Sequence, residues 1–368
     1  MKRNKTVYIL GAGFSIEAGA PSQEKLVSKI FEVNESDPNF FQVGTISTFE
    51  KFLSESLLLK DSQFNSVALE DIFTPLDKCL QENISFRNLT LKNVFETREL
   101  VYYLIGKTLQ KLLYDSSKDY IDHFANEIVQ KCSLRISGNY SEIDSVSVLS
   151  ANWDILLDNS IKNILDRDFY NMAVVDYCCH ISSYNKDDES VKPGLEILGK
   201  GGFNAKIIKL HGSLNWLQCP RCSRVYVDFN NKIAINQYHL QETCRHCDKN
   251  YNKTDSNILT SNLIMPTYFK NLGNAQYRMI WKAAETEISE ATKIVFIGYS
   301  LPFADFEMRQ LLSRMTRNNA KIEVVDYGNP ESEYIKGQIK KFETFFGSRK
   351  IDWYFKGASH YIYNNIEA

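Results

Sequence analysis

Four of the eight cysteines fall in two tight pairs, Cys219-Pro220-Arg221-Cys222 and Cys244-Arg245-His246-Cys247, separated by 21 residues. That spacing lets two knuckles place four thiolates tetrahedrally around Zn²⁺. Four thiolates close the coordination shell, so the expected ion is structural and leaves no position for a reactive water. His246, inside the second knuckle, is expected to face solvent or act as an outer donor. Cys79, Cys132, Cys178 and Cys179 have no partner spacing and read as small apolar side chains of a reducing compartment.

A second set of chemically capable residues follows short apolar runs. Val7 to Leu10 leads into Gly11-Ala12-Gly13-Phe14-Ser15, with Gly19 and Pro21 beyond. Small residues there allow backbone N–H groups to approach a phosphate, and a helix opening at that point adds partial positive charge. The glycines depart from G-x-G-x-x-G, so this turn alone fits a tight strand-to-helix junction as well as a nucleotide site. Ser150-Ala151-Asn152-Trp153-Asp154 follows Val146 to Leu149, and His211-Gly212-Ser213 follows Ile207 to Leu210. Gly298-Tyr299-Ser300 follows Ile294 to Ile297, and Asp326-Tyr327-Gly328-Asn329 follows Ile322 to Val325. By residue type alone, Asn152 and Asp154 serve equally well to cap a helix starting at Ile155.

The elements that must carry these groups follow from the runs themselves. Short β-branched or apolar runs of this kind read as parallel strands buried on both faces, which makes this an α/β fold. In such sheets ligands bind outside the carboxyl ends of the strands, so five clusters in that position point to one crevice. Between the first two strands, residues of about 25–135 read as a helical insertion. Val94, Phe95, Leu100, Val101, Leu104, Leu109, Leu112 and Leu113 recur at helical intervals, and Tyr120, Phe124, Ile128 and Cys132 repeat every four residues. These stripes read as core or subunit interface. Polar stretches at 182–195 and 248–257 bracket the cysteine pairs.

The 368 residues are 43% hydrophobic with a formal net charge of −2, which suits a well-buried core and gives no broad attraction to nucleic acid or anionic membrane. Lys2, Arg3 and Lys5 before an apolar run imitate a secretion leader, but Gly11, Gly13 and Glu17 interrupt it. No run approaches the ~20 apolar residues of a membrane span, so a cytoplasmic, uncleaved protein is expected.

Gly-Ala-Gly-Phe-Ser, Ser-Ala-Asn-Trp-Asp, Leu-His-Gly-Ser, the paired CxxC directly after it, Gly-Tyr-Ser-Leu-Pro at 298–302 and the late acidic strand end occur in an order that resembles the sirtuin superfamily across essentially the whole chain. The resemblance implies a Rossmann-like NAD-binding domain over 1–215 and 260–368, with the helical insertion, and a small zinc-ribbon module over 216–259. It implies that Gly11, Ala12, Gly13 and Ser15 line the pyrophosphate and ribose pocket and that Gly298, Ser300 and Asp326 hold the adenosine side. Asn152, Asp154 and His211 match the positions around the nicotinamide ribose. On that footing His211, of a residue type with an ordinary pKa of ~6.5, accepts a proton from water or a ribose hydroxyl. Asn152 would hold that water or hydroxyl, and Asp154 would accept from the nicotinamide carboxamide.

The departures from the family pattern are informative. Protein-deacylating sirtuins carry Phe-Arg soon after the proline, where this chain has Ser22-Gln23-Glu24-Lys25. They also carry a Phe-Gly-Glu strand that pairs with the acyl-lysine peptide, where this chain has Leu263-Ile264-Met265-Pro266-Thr267-Tyr268. With the helical insertion, the pattern is most similar to bacterial sirtuin-like NADases of anti-phage defence. The expectation is therefore a gated hydrolase that converts NAD to nicotinamide and ADP-ribose. Residues of about 50–132 are expected to serve homo-oligomer or activating-partner contacts. An NAD-dependent lysine deacylase and a non-catalytic NAD or ADP-ribose sensor are the alternatives.

Overall fold

The computed structural model describes residues 4–113, 117–136, 144–188, 190–229, 232–238, 240–251, 255–270 and 272–366. Its strands are β1 (Thr6–Leu10), β2 (Val146–Ser150), β3 (Ala173–Asp176), β4 (Ile181–Ser183), β5 (Phe203–Lys209), β6 (Gly212–Gln218), β7 (Val225–Val227), β8 (Thr260–Leu263), β9 (Lys293–Ile297), β10 (Lys321–Val325) and β11 (Ile351–Tyr354). Seven form a parallel sheet in the order β11-β10-β9-β1-β2-β5-β3. All five runs read as strands are in it, at its centre. Their apolar side chains are buried on both faces, as parallel pairing requires.

The register aligns the carboxyl ends of these strands. Val325 pairs with Ile297, Ile297 with Leu10, Leu10 with Ser150 and Ser150 with Lys209. The five polar clusters therefore leave the sheet from one straight row. β1 lies at the centre of that row, where the chain order reverses on either side.

The early helices are α1 (Leu26–Ser36), α2 (Thr45–Lys51), α3 (Leu69–Glu82), α4 (Leu91–Leu112), α5 (Asp119–Ser133) and, after β2, α6 (Leu156–Asp168). Helices α1 to α4 close around their own core, which includes Ile30, Phe49, Phe73, Val101 and Leu104. Leu214, Ile235, Leu263 and Met265 join that core from the cysteine-bearing side of the molecule. α5 instead belongs to the layer on the large sheet: Phe124 packs edge-on against Tyr8, and the Tyr120 hydroxyl donates to the Phe14 carbonyl at 2.5 Å. The stripe at 94–113 is thus mostly core. Phe95 is the exception, turned outward and about half exposed.

The second sheet has four strands in the order β4-β7-β6-β8 and carries the cysteines in its connections. It draws β4 from residues 181–183, upstream of the cysteine pairs. Among the described residues no helix is long and apolar enough to cross a membrane.

Candidate active site and metal centre

At the head of the row, the glycine turn locks onto the turn after β9. The Gly11 N–H donates to the Ile297 carbonyl at 3.1 Å and the Gly13 N–H to the Gly298 carbonyl at 2.9 Å. A Cβ on Gly11 would lie 2.4 Å from the Gly298 carbonyl oxygen, and one on Gly298, whose φ is +60°, would lie 2.2 Å from the Gly13 carbonyl carbon. Glycine is required here because two backbones touch. The helix expected at this point is a four-residue 3-10 turn, Ala12–Ser15, and α1 begins only at Leu26. The helix-dipole argument for phosphate binding is therefore replaced by a tight crest with Ala12 at its exposed tip.

Ser15 is buried beneath the crest and its hydroxyl donates to Asp154 Oδ2 at 2.9 Å. The other Asp154 oxygen accepts from the Leu156 N–H at 3.1 Å. Asp154 therefore caps α6 and ties it to the glycine turn at once. From below, the buried Lys209 ammonium donates to the Asp154 carbonyl at 2.6 Å and lies 3.5 Å from Asp158, which also accepts from the Tyr177 hydroxyl at 2.8 Å. Burial raises the Asp158 carboxyl above its ordinary range although Lys209 opposes it.

Asn152 projects from this pinned loop. Its backbone N–H donates to Ser150 Oγ at 3.2 Å, while its side-chain amide, only 8% exposed, has no partner among the described residues. At the next strand end, His211 Nε2 lies 3.2 Å from Asp305 Oδ1. Asp305 also accepts from Lys270 Nζ at 2.5 Å and from the Tyr299 hydroxyl at 2.5 Å. Burial works to raise the Asp305 carboxyl, but His211 and Lys270 outweigh it and hold the group well below the usual carboxylate range. Asp305 and Lys270 lie just outside the sequence motifs, Lys270 two residues beyond the stretch ending at Tyr268 and Asp305 three beyond Pro302. The one available signal was an acidic residue just before the helix Phe306–Met315.

The structure places Gly298, Ser300 and Asp326 on the opposite flank of the glycine turn from Asn152, Asp154 and His211, on the β9–β10 side. Ser300 is exposed and its carbonyl accepts from Lys341 at 3.0 Å. Asp326 is half-buried, accepts from the Tyr327 N–H at 2.8 Å, and has its carboxyl raised by burial. A separate cavity of about 850 Å³ lies between α2–α4 and the cysteine-bearing sheet, lined by Phe52, Glu55, Glu99 and Pro220 among others, and includes none of these residues.

The backbone carbonyls at 262–264 accept from side chains. β8 is an edge strand, yet the Leu263 carbonyl accepts from the Tyr102 hydroxyl of α4 at 3.1 Å and the Ile264 carbonyl from the Trp153 indole N–H at 3.1 Å. The Asn262 carbonyl accepts from the Tyr277 hydroxyl at 3.2 Å, and the Ile264 N–H donates to the His211 carbonyl at 2.9 Å.

Cys219, Cys222, Cys244 and Cys247 bring their four Sγ atoms within 4.8 Å of one another. The Cys219–Cys247 and Cys222–Cys244 separations are each 3.8 Å. A tetrahedron with ~2.3 Å zinc–sulfur bonds has edges of about 3.8 Å, so the cluster is suited to Zn²⁺ in a closed, all-thiolate shell. Burial opposes ionisation of Cys244, but the Tyr226 hydroxyl at 3.2 Å and the Cys247 amide outweigh it and bring the thiol down to about 7. His246 is half-buried beside Asn250. Burial raises the thiols of Cys79, Cys132, Cys178 and Cys179, which leaves them inert.

No protein-family model and no curated protein matches the chain. Among solved structures the chain is similar to Sir2 with a p53 peptide and NAD⁺, at 13% identity over 98% of this chain and 92% of that one, with a TM-score of 0.36. A Sir2 point mutant with a p53 peptide and NAD gives the same figures. A Sir2 structure described as bearing on mechanism and regulation matches at 13% identity over 99% and 91% of the two chains, with a TM-score of 0.34.

Proposed function

We propose that this chain is a sirtuin-like NAD hydrolase. The observation that carries the reading is the pairing, at neighbouring strand ends beside the glycine turn, of a buried amide without a protein partner, Asn152, and a histidine held by an ionised carboxylate, His211. The motif order noted above supplies NAD as the substrate.

In this reaction the N-glycosidic bond of NAD breaks and its electron pair leaves with nicotinamide, which departs neutral. A water oxygen bonds to the ribose carbon, and the water proton passes through His211 to solvent, giving ADP-ribose. A cationic leaving group needs no general acid, so one base and one positioning amide suffice. Asp154, fixed by Ser15 and Lys209, presents its carboxylate near the same place for the carboxamide N–H₂.

Water is favoured over an acyl-lysine acceptor because the Leu263 carbonyl, on the free edge of β8 where a peptide strand would have to pair, already accepts from the Tyr102 hydroxyl. Unrestrained hydrolysis of NAD would empty the host cell of cofactor, so the reading includes a gate, through self-assembly or a partner protein. Such a gated enzyme fits an effector of anti-phage defence.

Incubating the purified chain with NAD alone and quantifying nicotinamide tests the reading. Release is expected, falling by ~10²- to 10⁴-fold in His211→Ala. Release only when an acylated peptide is added would make the protein a deacylase. Tight NAD binding without turnover would make it a sensor, and either result overturns the hydrolase reading.

A further inference from the structure

We infer that Asp305 is a positioning residue that fixes His211 with its proton on Nε2, so that Nδ1 is the basic nitrogen facing the crevice, and that Lys270 holds the same carboxylate oxygen in place. The role of Nδ1 as base rests on the hydrolase reading above; the tautomer does not.

The argument begins with the donor inventory. Lys270 Nζ and His211 Nε2 both reach Asp305 Oδ1, and the Tyr299 hydroxyl reaches Oδ2. An ammonium can only donate, so Oδ1 is an acceptor, and an acceptor at 3.2 Å from Nε2 requires the imidazole proton on that nitrogen. His211 Nδ1 has no partner among the described residues and is not sealed from solvent. It is left with its lone pair available. The neighbouring strand end carries Asn152, whose amide is able to hold a water.

A lone buried carboxylate beside an imidazole would stabilise the imidazolium and remove the base. Here Lys270, with its side chain 3% exposed, places a positive charge 2.5 Å from the same oxygen, and Glu307 in turn lies 3.2 Å from Lys270. The charged and titratable groups around the ring are thus Asp305 and Glu307 at the start of one helix, Lys270 from the loop after β8, and Tyr299 after β9. Lys270 partly offsets the charge of Asp305 on the oxygen that orients the ring.

Long-range ¹⁵N–¹H spectra of the ligand-free full chain, with the His211 ring assigned by its loss in His211→Gln, read the tautomer directly. The neutral ring of the wild type is expected to carry its proton on Nε2, and Asp305→Asn to lose that preference. In nicotinamide release, Asp305→Asn should lower kcat ~10²-fold or more with little change in KM. A wild-type ring protonated on Nδ1, or a tautomer unchanged in Asp305→Asn, would overturn the inference. The spectra need no turnover, so a chain that shows the Nε2–H ring but releases no nicotinamide would sink the hydrolase reading while leaving the Asp305 assignment standing.

Discussion

In the cysteine cluster every ligand sulfur has another sulfur or a hydroxyl within bonding reach, and the four together define a shell with no open position. At the crevice the supporting atoms are just as well paired: Ser15 to Asp154, Lys209 to the loop carbonyl, and Asp305 to three donors. The difference lies in the groups that face outward. Asn152 and one nitrogen of His211 have no partner among the described residues and stay open to solvent. Sulfurs that face only one another serve the fold, whereas polar groups left open beside a rigid support are arranged to receive something else.

Metal removal is the strongest test of the comparison. Structural zinc contributes on the order of 10 kcal/mol to folding of small zinc modules, so stripping it or introducing Cys219→Ser should unfold the second sheet. Limited proteolysis should then cut within 212–263, and elemental analysis should find about one zinc per intact chain. An unchanged cleavage pattern in metal-free protein would remove the structural role.

Asn152→Ala probes the opposite case. With no protein partner to lose, it should leave the melting temperature unchanged or slightly raised while nicotinamide release falls ~10²-fold. A clear loss of stability with activity retained would place Asn152 among the structural groups. The smallest effect is expected from Ser15→Ala, which removes the 2.9 Å bond to Asp154. That bond is worth about 1 kcal/mol, so KM for NAD should rise roughly fivefold with kcat little changed.

Legibility followed locality. The five central strands were readable because burial on both faces demands a largely apolar, β-branched run, broken only by single residues such as Ser147, Lys209 and Glu323, whereas β3 and β11 lie at the two edges of the sheet. There a half-exposed Ile-Asp-Trp-Tyr or a four-residue Ala-Val-Val-Asp carries no such pattern. The cysteine cluster was readable because its ligands come in adjacent pairs. The glycine turn was recognisable by residue type, but its physical reason, contact with Gly298, depends on a distant segment. His211 and Asp305 are 94 residues apart, and only the folded sheet brings them together. The caps on the Leu263 and Ile264 carbonyls were likewise invisible, since they come from α4 and from the loop after β2.

The first of those caps has a consequence unrelated to catalysis. An exposed edge strand is a template on which further copies of a chain can stack, and proteins usually blunt such edges with charge, proline or a bulge. Here the Tyr102 hydroxyl blunts the β8 edge by occupying the Leu263 carbonyl. The same contact leaves one fewer backbone acceptor on that edge for a second copy of the chain to pair with.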